Sequence, residues 1–84
     1  MPIQVKVNGP RGEEKIIDLC DSEEQLKRIT VKDLKTKIAQ ELRISMFTSL
    51  FSLTEQLEES CLLLSYGIKH LSTIHTLLML PGGI

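Results

Sequence analysis

The side chains in this 84-residue chain with the chemistry of a nucleophile and its base are two thiols, Cys20 and Cys61, and two imidazoles, His70 and His75. A thiol and imidazole work together only when a further group orients the base, and no such group or flanking motif accompanies any of the four. Cys20 and Cys61 stand far apart in sequence, so they form neither a zinc-ligand spacing nor a CxxC redox pair. Two reduced thiols are expected, with no catalytic residue, no cofactor and no metal. A different kind of chemistry is suggested by "LMLPGGI", residues 78–84. The pair Gly82 and Gly83 is either a frayed end or a backbone thinned so that an enzyme can reach a carboxylate, because glycine has no Cβ to collide with a narrow channel. Ile84 stands behind the glycines. Pro81 in front lacks an amide hydrogen and fixes its own φ, which limits pairing of an extended tail.

The elements that must carry these residues follow from periodicity. Residues 3–7, "IQVKV", alternate apolar and polar, so Ile3, Val5 and Val7 share one face of a strand. "NGPRG" supplies turn chemistry, and a second strand fits residues 14–20 with Ile17 and Leu19 inward. Residues 21–28, "DSEEQLKR", fit a loop or a frayed helical turn. "TVKD" from Thr30 to Asp33 matches a capping box, and Val31, Leu34, Ile38 and Leu42 then recur at three and four residues. That spacing predicts one amphipathic helix over residues 30–42. A short strand is expected at 49–53, a turn and another short strand near Leu57, a helical turn at 62–68 carrying Leu63, Tyr66 and Ile68 inward, and a last strand at 72–80.

Composition limits the functional classes. The chain is 42% hydrophobic and 25% charged, with a net charge of -1, so it lacks the basic excess of a nucleic-acid binder. Alternation begins directly after Met1, without the apolar run of a signal peptide. A monomer of the cytoplasm or nucleus, with no nucleic-acid or membrane partner, is expected. One domain over residues 1–80 with a tail at 81–84 accounts for the length.

Four stretches, in this order, resemble the ubiquitin family across nearly the whole chain: "MPIQVKV", "TVKDLKTKI", "QLEESCLLLSYGI" and "STIHTLLMLPGG". "SYGI" followed by "TIH" is similar to the two-domain, cytokine-inducible ubiquitin-like modifiers. The resemblance implies an α+β, β-grasp fold: a mixed four- to five-stranded sheet packed on one amphipathic helix. The chain departs from the family in a longer connection between the second strand and the helix, in a glycine-free "LTEQ" turn, and in Met79 and Pro81 where a conjugated tail carries arginines.

The resemblance also implies sites. If Ile74, Thr76 and Leu78 face the core, then His75, Leu77 and Met79 face outward, and Phe51 joins them from the neighbouring strand as the family's recognition patch. A one-residue slip would instead send Phe51, Leu77 and Met79 inward. Lys6, Lys35 and Lys37 fall where ubiquitin carries chain-forming lysines, while Glu55 takes the place of the most used one. Seven solvated lysines are the simpler account. Lys35 is implied to pair structurally with Glu59. Two functions follow. In one, the chain is an interaction module that recruits ubiquitin-receptor or other ubiquitin-pathway proteins through the patch. In the other, it is a modifier: a processing protease removes Ile84, an activating enzyme takes the Gly83 carboxylate, and an isopeptide bond joins it to a target lysine.

Overall fold

The computed structural model describes residues 2–44, 48–52 and 55–78, with the side chain of Leu78 left aside. Strand β1 (Ile3–Asn8) and strand β2 (Glu14–Cys20) form an antiparallel hairpin. Its loop is closed by Gly9 N–H donating to the Glu13 carbonyl, and Gly12 takes a φ of +86°, a region that favours glycine. A short helix α1 (Glu23–Leu26) follows, then the main helix α2 (Val31–Leu42). Strand β3 (Thr48–Ser52), the two-residue strand β4 (Glu55–Gln56), a 3₁₀ turn (Leu63–Tyr66) and strand β5 (Thr73–Leu78) complete the order.

The five strands form one sheet in the order β2-β1-β5-β3-β4. β5 lies in the middle, parallel to β1 and antiparallel to β3. One face of this mixed sheet carries α2, and the fold is α+β, a β-grasp. The helix forms where capping and spacing agree: Thr30 Oγ1 accepts the Asp33 amide at 3.2 Å, and Asp33 Oδ2 accepts the Thr30 amide at 3.1 Å. Its buried stripe of Val31, Leu34 and Ile38 meets Ile3, Val5, Val7, Ile17, Leu50 and Ile74 from the sheet in a single apolar core. Burial of this stripe is what makes a twelve-residue helix stable, since isolated helices of that length are marginal in water.

The connection from β2 to α2 is where the structure departs from a plain loop. Ser22 caps α1 by accepting the Gln25 amide at 3.3 Å, while Gln25 Oε1 accepts the Asp21 amide at 2.7 Å. The extra length thereby delivers Leu26, 4% exposed, to the core. Leu19 packs half-buried against the core, and Leu63 and Ile68 are buried with Tyr66 half-buried beside them. Leu57 follows β4 directly and is buried, its amide donating to the Leu50 carbonyl at 2.8 Å. Among the described residues no helix is long and apolar enough to cross a membrane.

Candidate functional site

The face of the sheet turned away from α2 is set by register. β5 pairs with β3 through Phe51↔His75, Leu50↔Thr76 and Ser49↔Leu77, and with β1 through Lys6↔Thr73, Val7↔Ile74 and Asn8↔His75. Partners across a ladder point to the same face. Val7, Leu50 and Ile74 are all buried, so Phe51, His75, Leu77, Ser49, Lys6 and Asn8 lie on the outer face.

Leu77 is 53% exposed, His75 is exposed, and Phe51 is half-buried. The one-residue slip is therefore not adopted. Thr76, the polar residue on the inward side, has a local partner: its hydroxyl donates to the Asn8 carbonyl at 2.7 Å at the end of the β1–β5 ladder. That bond removes the cost of an unpaired polar group on the buried side. His75 Nδ1 lies 3.2 Å from Asn8 Nδ2, and Gln56 Nε2 donates to Ser49 Oγ at 3.5 Å.

Ile16 also lies on this face, opposite Lys6 and 52% exposed, and was not singled out from the sequence. The signal was present in "KIID": of two successive isoleucines on a strand, only one can point inward, and Ile17 does. Met79, Pro81, Gly82, Gly83 and Ile84 lie outside the described residues.

Lys35 and Glu59 stand apart from Phe51, His75 and Leu77, in a cleft that Ser49 and Gln56 also line. Lys35 Nζ is 3.8 Å from Glu59 Oε1, with the lysine side chain 16% exposed and the carboxylate 55%. The loop bearing Glu59 is fixed by its own carbonyl, which accepts the Lys32 amide at 3.2 Å, and by Tyr66 Oη, which accepts the Glu58 amide at 3.0 Å. That amide bond by itself lowers the pKa of the Tyr66 phenol. Burial, together with the neighbouring Cys61 thiol and Glu58 carboxylate, outweighs it and holds the phenol above its ordinary value. The pair ties α2 to the loop that bears Glu59, and at this exposure it contributes about 0–1 kcal/mol.

The thiols and imidazoles are not brought together by these contacts. Cys20 Sγ donates to the Ser22 carbonyl at 3.4 Å, and Cys61 sits beside Tyr66. His70 Nδ1 accepts the Gln4 amide at 3.1 Å, while Leu71 N–H donates to the Gln4 carbonyl at 2.6 Å. His70 thus extends the β1–β5 ladder with a side chain, a structural part that the sequence pattern did not reveal.

A scan against protein-family models and a search of curated proteins each return no match for this chain. The likeness to the ubiquitin family therefore rests on the four sequence stretches, beside a strand order and helix placement of the β-grasp kind.

Proposed function

We propose that this chain is a ubiquitin-like interaction module, recognised by other proteins through the outer sheet face of Phe51, His75 and Leu77, with Met79 following in sequence. The observation that carries this reading is Leu77, 53% exposed next to His75 on a strand whose alternate residue Ile74 is fully buried. Leu77 does not stand alone: with Phe51 on the neighbouring strand it forms a contiguous apolar patch, the kind of surface that a partner uses. Ile16 at the far side of β1 and Phe51 on β3 widen the same face. A helix or small domain of a ubiquitin receptor is the occupant in this reading, held with micromolar affinity through a small interface. The module works in the cytoplasm or nucleus and does no chemistry of its own.

Titration of the ¹⁵N-labelled chain with a helical ubiquitin-receptor peptide tests it. Amide shifts should concentrate on residues 48–52 and 73–78 and disappear in Leu77→Asp. Shifts confined to the α2 side, or unchanged binding by Leu77→Asp, would sink the proposal.

The diglycine at 82–83 favours a second reading, that of a modifier trimmed after Gly83 and conjugated to lysines. Intact mass spectrometry of the protein recovered from cells under denaturing conditions decides it. A form ending at Gly83, with heavier adducts lost when both glycines become alanine, supports conjugation; retention of Ile84 without adducts excludes it.

A further inference from the structure

We infer that Asn8 fixes the tautomer of His75, so that the outer face presents an imidazole Nε2–H donor and suits a partner that brings an oxygen acceptor among aliphatic groups. The partner half of this inference rests on the recognition face proposed above; the tautomer half does not.

Asn8 Nδ2 faces His75 Nδ1 at 3.2 Å. A carboxamide nitrogen donates and does not accept, so the ring nitrogen opposite it must carry the lone pair and the ring proton must sit on Nε2. The arrangement is built by the backbone. Asn8 pairs with His75 in the parallel ladder and with Glu14 on its other side, and its carbonyl is held by the Thr76 hydroxyl at 2.7 Å. Asn8 therefore leaves a three-strand segment at a fixed angle, and with Nδ1 engaged the ring atom left for a partner is Nε2.

The surroundings give that donor a context. Phe51 on β3 flanks the ring, and Leu77 lies two residues along β5 on the same face. Lys6 precedes Asn8 by two residues on β1, on the same face, with no ion-pair partner among the described residues. Glu14 lies on the far side of Asn8 from the ring. One N–H donor beside Phe51 and Leu77, with the Lys6 cation two residues from Asn8 on the adjoining strand, favours a carboxylate as the acceptor. Asn8 acts through His75 and is a positioning residue; it need not touch the partner.

Long-range ¹H–¹⁵N spectra of His75 in the full chain, at about pH 8 and so above the range in which imidazoles ordinarily titrate, read the tautomer directly. The wild type should show the Nε2–H pattern. Asn8→Asp, which offers only acceptors to Nδ1, should move the proton to Nδ1, with the amide spectrum confirming a retained fold. A wild-type Nδ1–H pattern, or the same tautomer in Asn8→Asp, overturns the assignment.

For the partner half, the receptor helix is compared with a copy whose acidic residues are changed from Glu to Gln. Loss of about tenfold in affinity is expected for the neutral copy, and a similar loss for the acidic helix against Asn8→Asp. Equal binding of both helices overturns the acceptor, and failure of the wild type to bind either one overturns the recognition reading while leaving the tautomer result intact.

Discussion

Arg43 ends α2 in the left-handed region, with φ of 54° and its amide donating to the Ala39 carbonyl. A side chain there costs roughly 1–2 kcal/mol, against about 0.5–1 kcal/mol for the greater freedom of an unfolded glycine. Arg43→Gly should therefore leave stability equal or raise it by up to about 1.5 kcal/mol, read by urea unfolding; a clear loss would mean that the arginine stem packs usefully on the helix. Glu13 gives a pH signature. Its own amide and that of Arg11, at 2.8 Å from Oε1, donate to the carboxylate and hold its pKa below the ordinary 4.5. Because the folded value is the lower one, the associated stability is complete above the unfolded value and is lost as pH falls through the folded one. An NMR titration of the Glu13 carboxyl should give a midpoint below 4.5, and a midpoint at or above it would contradict the loop geometry. At this scale legibility was uneven. "TVKD" disclosed both bonds of the Thr30–Asp33 box because the motif is local, whereas the bond from Gln4 to His70 joins residues far apart in sequence and leaves no pattern.

Helix α2 was legible as an element because a stripe of Val31, Leu34 and Ile38 has one natural period, and the structure ends it at Leu42. Strands β1 and β2 were legible for the same reason, their alternation being interrupted by turn residues. Helix α1 was legible only as one of two alternatives, a loop or a frayed helical turn, although "SEEQ" has Ser22 and Gln25 at capping distance; four residues are too few for periodicity to outweigh the surrounding charge. Its value to the fold rests on Leu26, which is 4% exposed within the core cluster. Leu26→Ala should cost about 2 kcal/mol or more if the site closes only partly around the cavity. For a domain of this size that lowers Tm by roughly 8–16 °C. A loss under about 0.5 kcal/mol would make α1 a surface turn after all. Leu34→Ala, from a fully buried position, provides the upper reference at about 3–5 kcal/mol.

The parallel pairing of β1 with β5 joins the two ends of the molecule, and periodicity cannot announce it. A mixed sheet on one helix was expected only through the resemblance, and the strand order within it was not read from the sequence. The proposed recognition face depended on one further choice, the register of β5, which a two-residue repeat leaves open because "TIHTLL" offers apolar residues to both sides. Thr76 argued for the wrong choice from sequence, and its bond to the Asn8 carbonyl explains why the structure makes the other. The consequence can be read on the whole molecule by placing the same charge on adjacent faces. Ile74→Asp buries a carboxylate at a fully enclosed site of the central strand. The cost, above about 4 kcal/mol, is most of the 5–15 kcal/mol that holds a domain together, so this variant should lack a cooperative thermal transition. Leu77→Asp puts the same group on a side chain already 53% exposed and should stay within about 1 kcal/mol of the wild type, with an unchanged circular dichroism spectrum. Unfolding by both substitutions, or by Leu77→Asp alone, would mean that the outer face is core and would remove the surface on which the proposed recognition depends. A folded Leu77→Asp beside an unfolded Ile74→Asp fixes the register in solution, and only then does a lost partner in the first variant report on the face rather than on the fold.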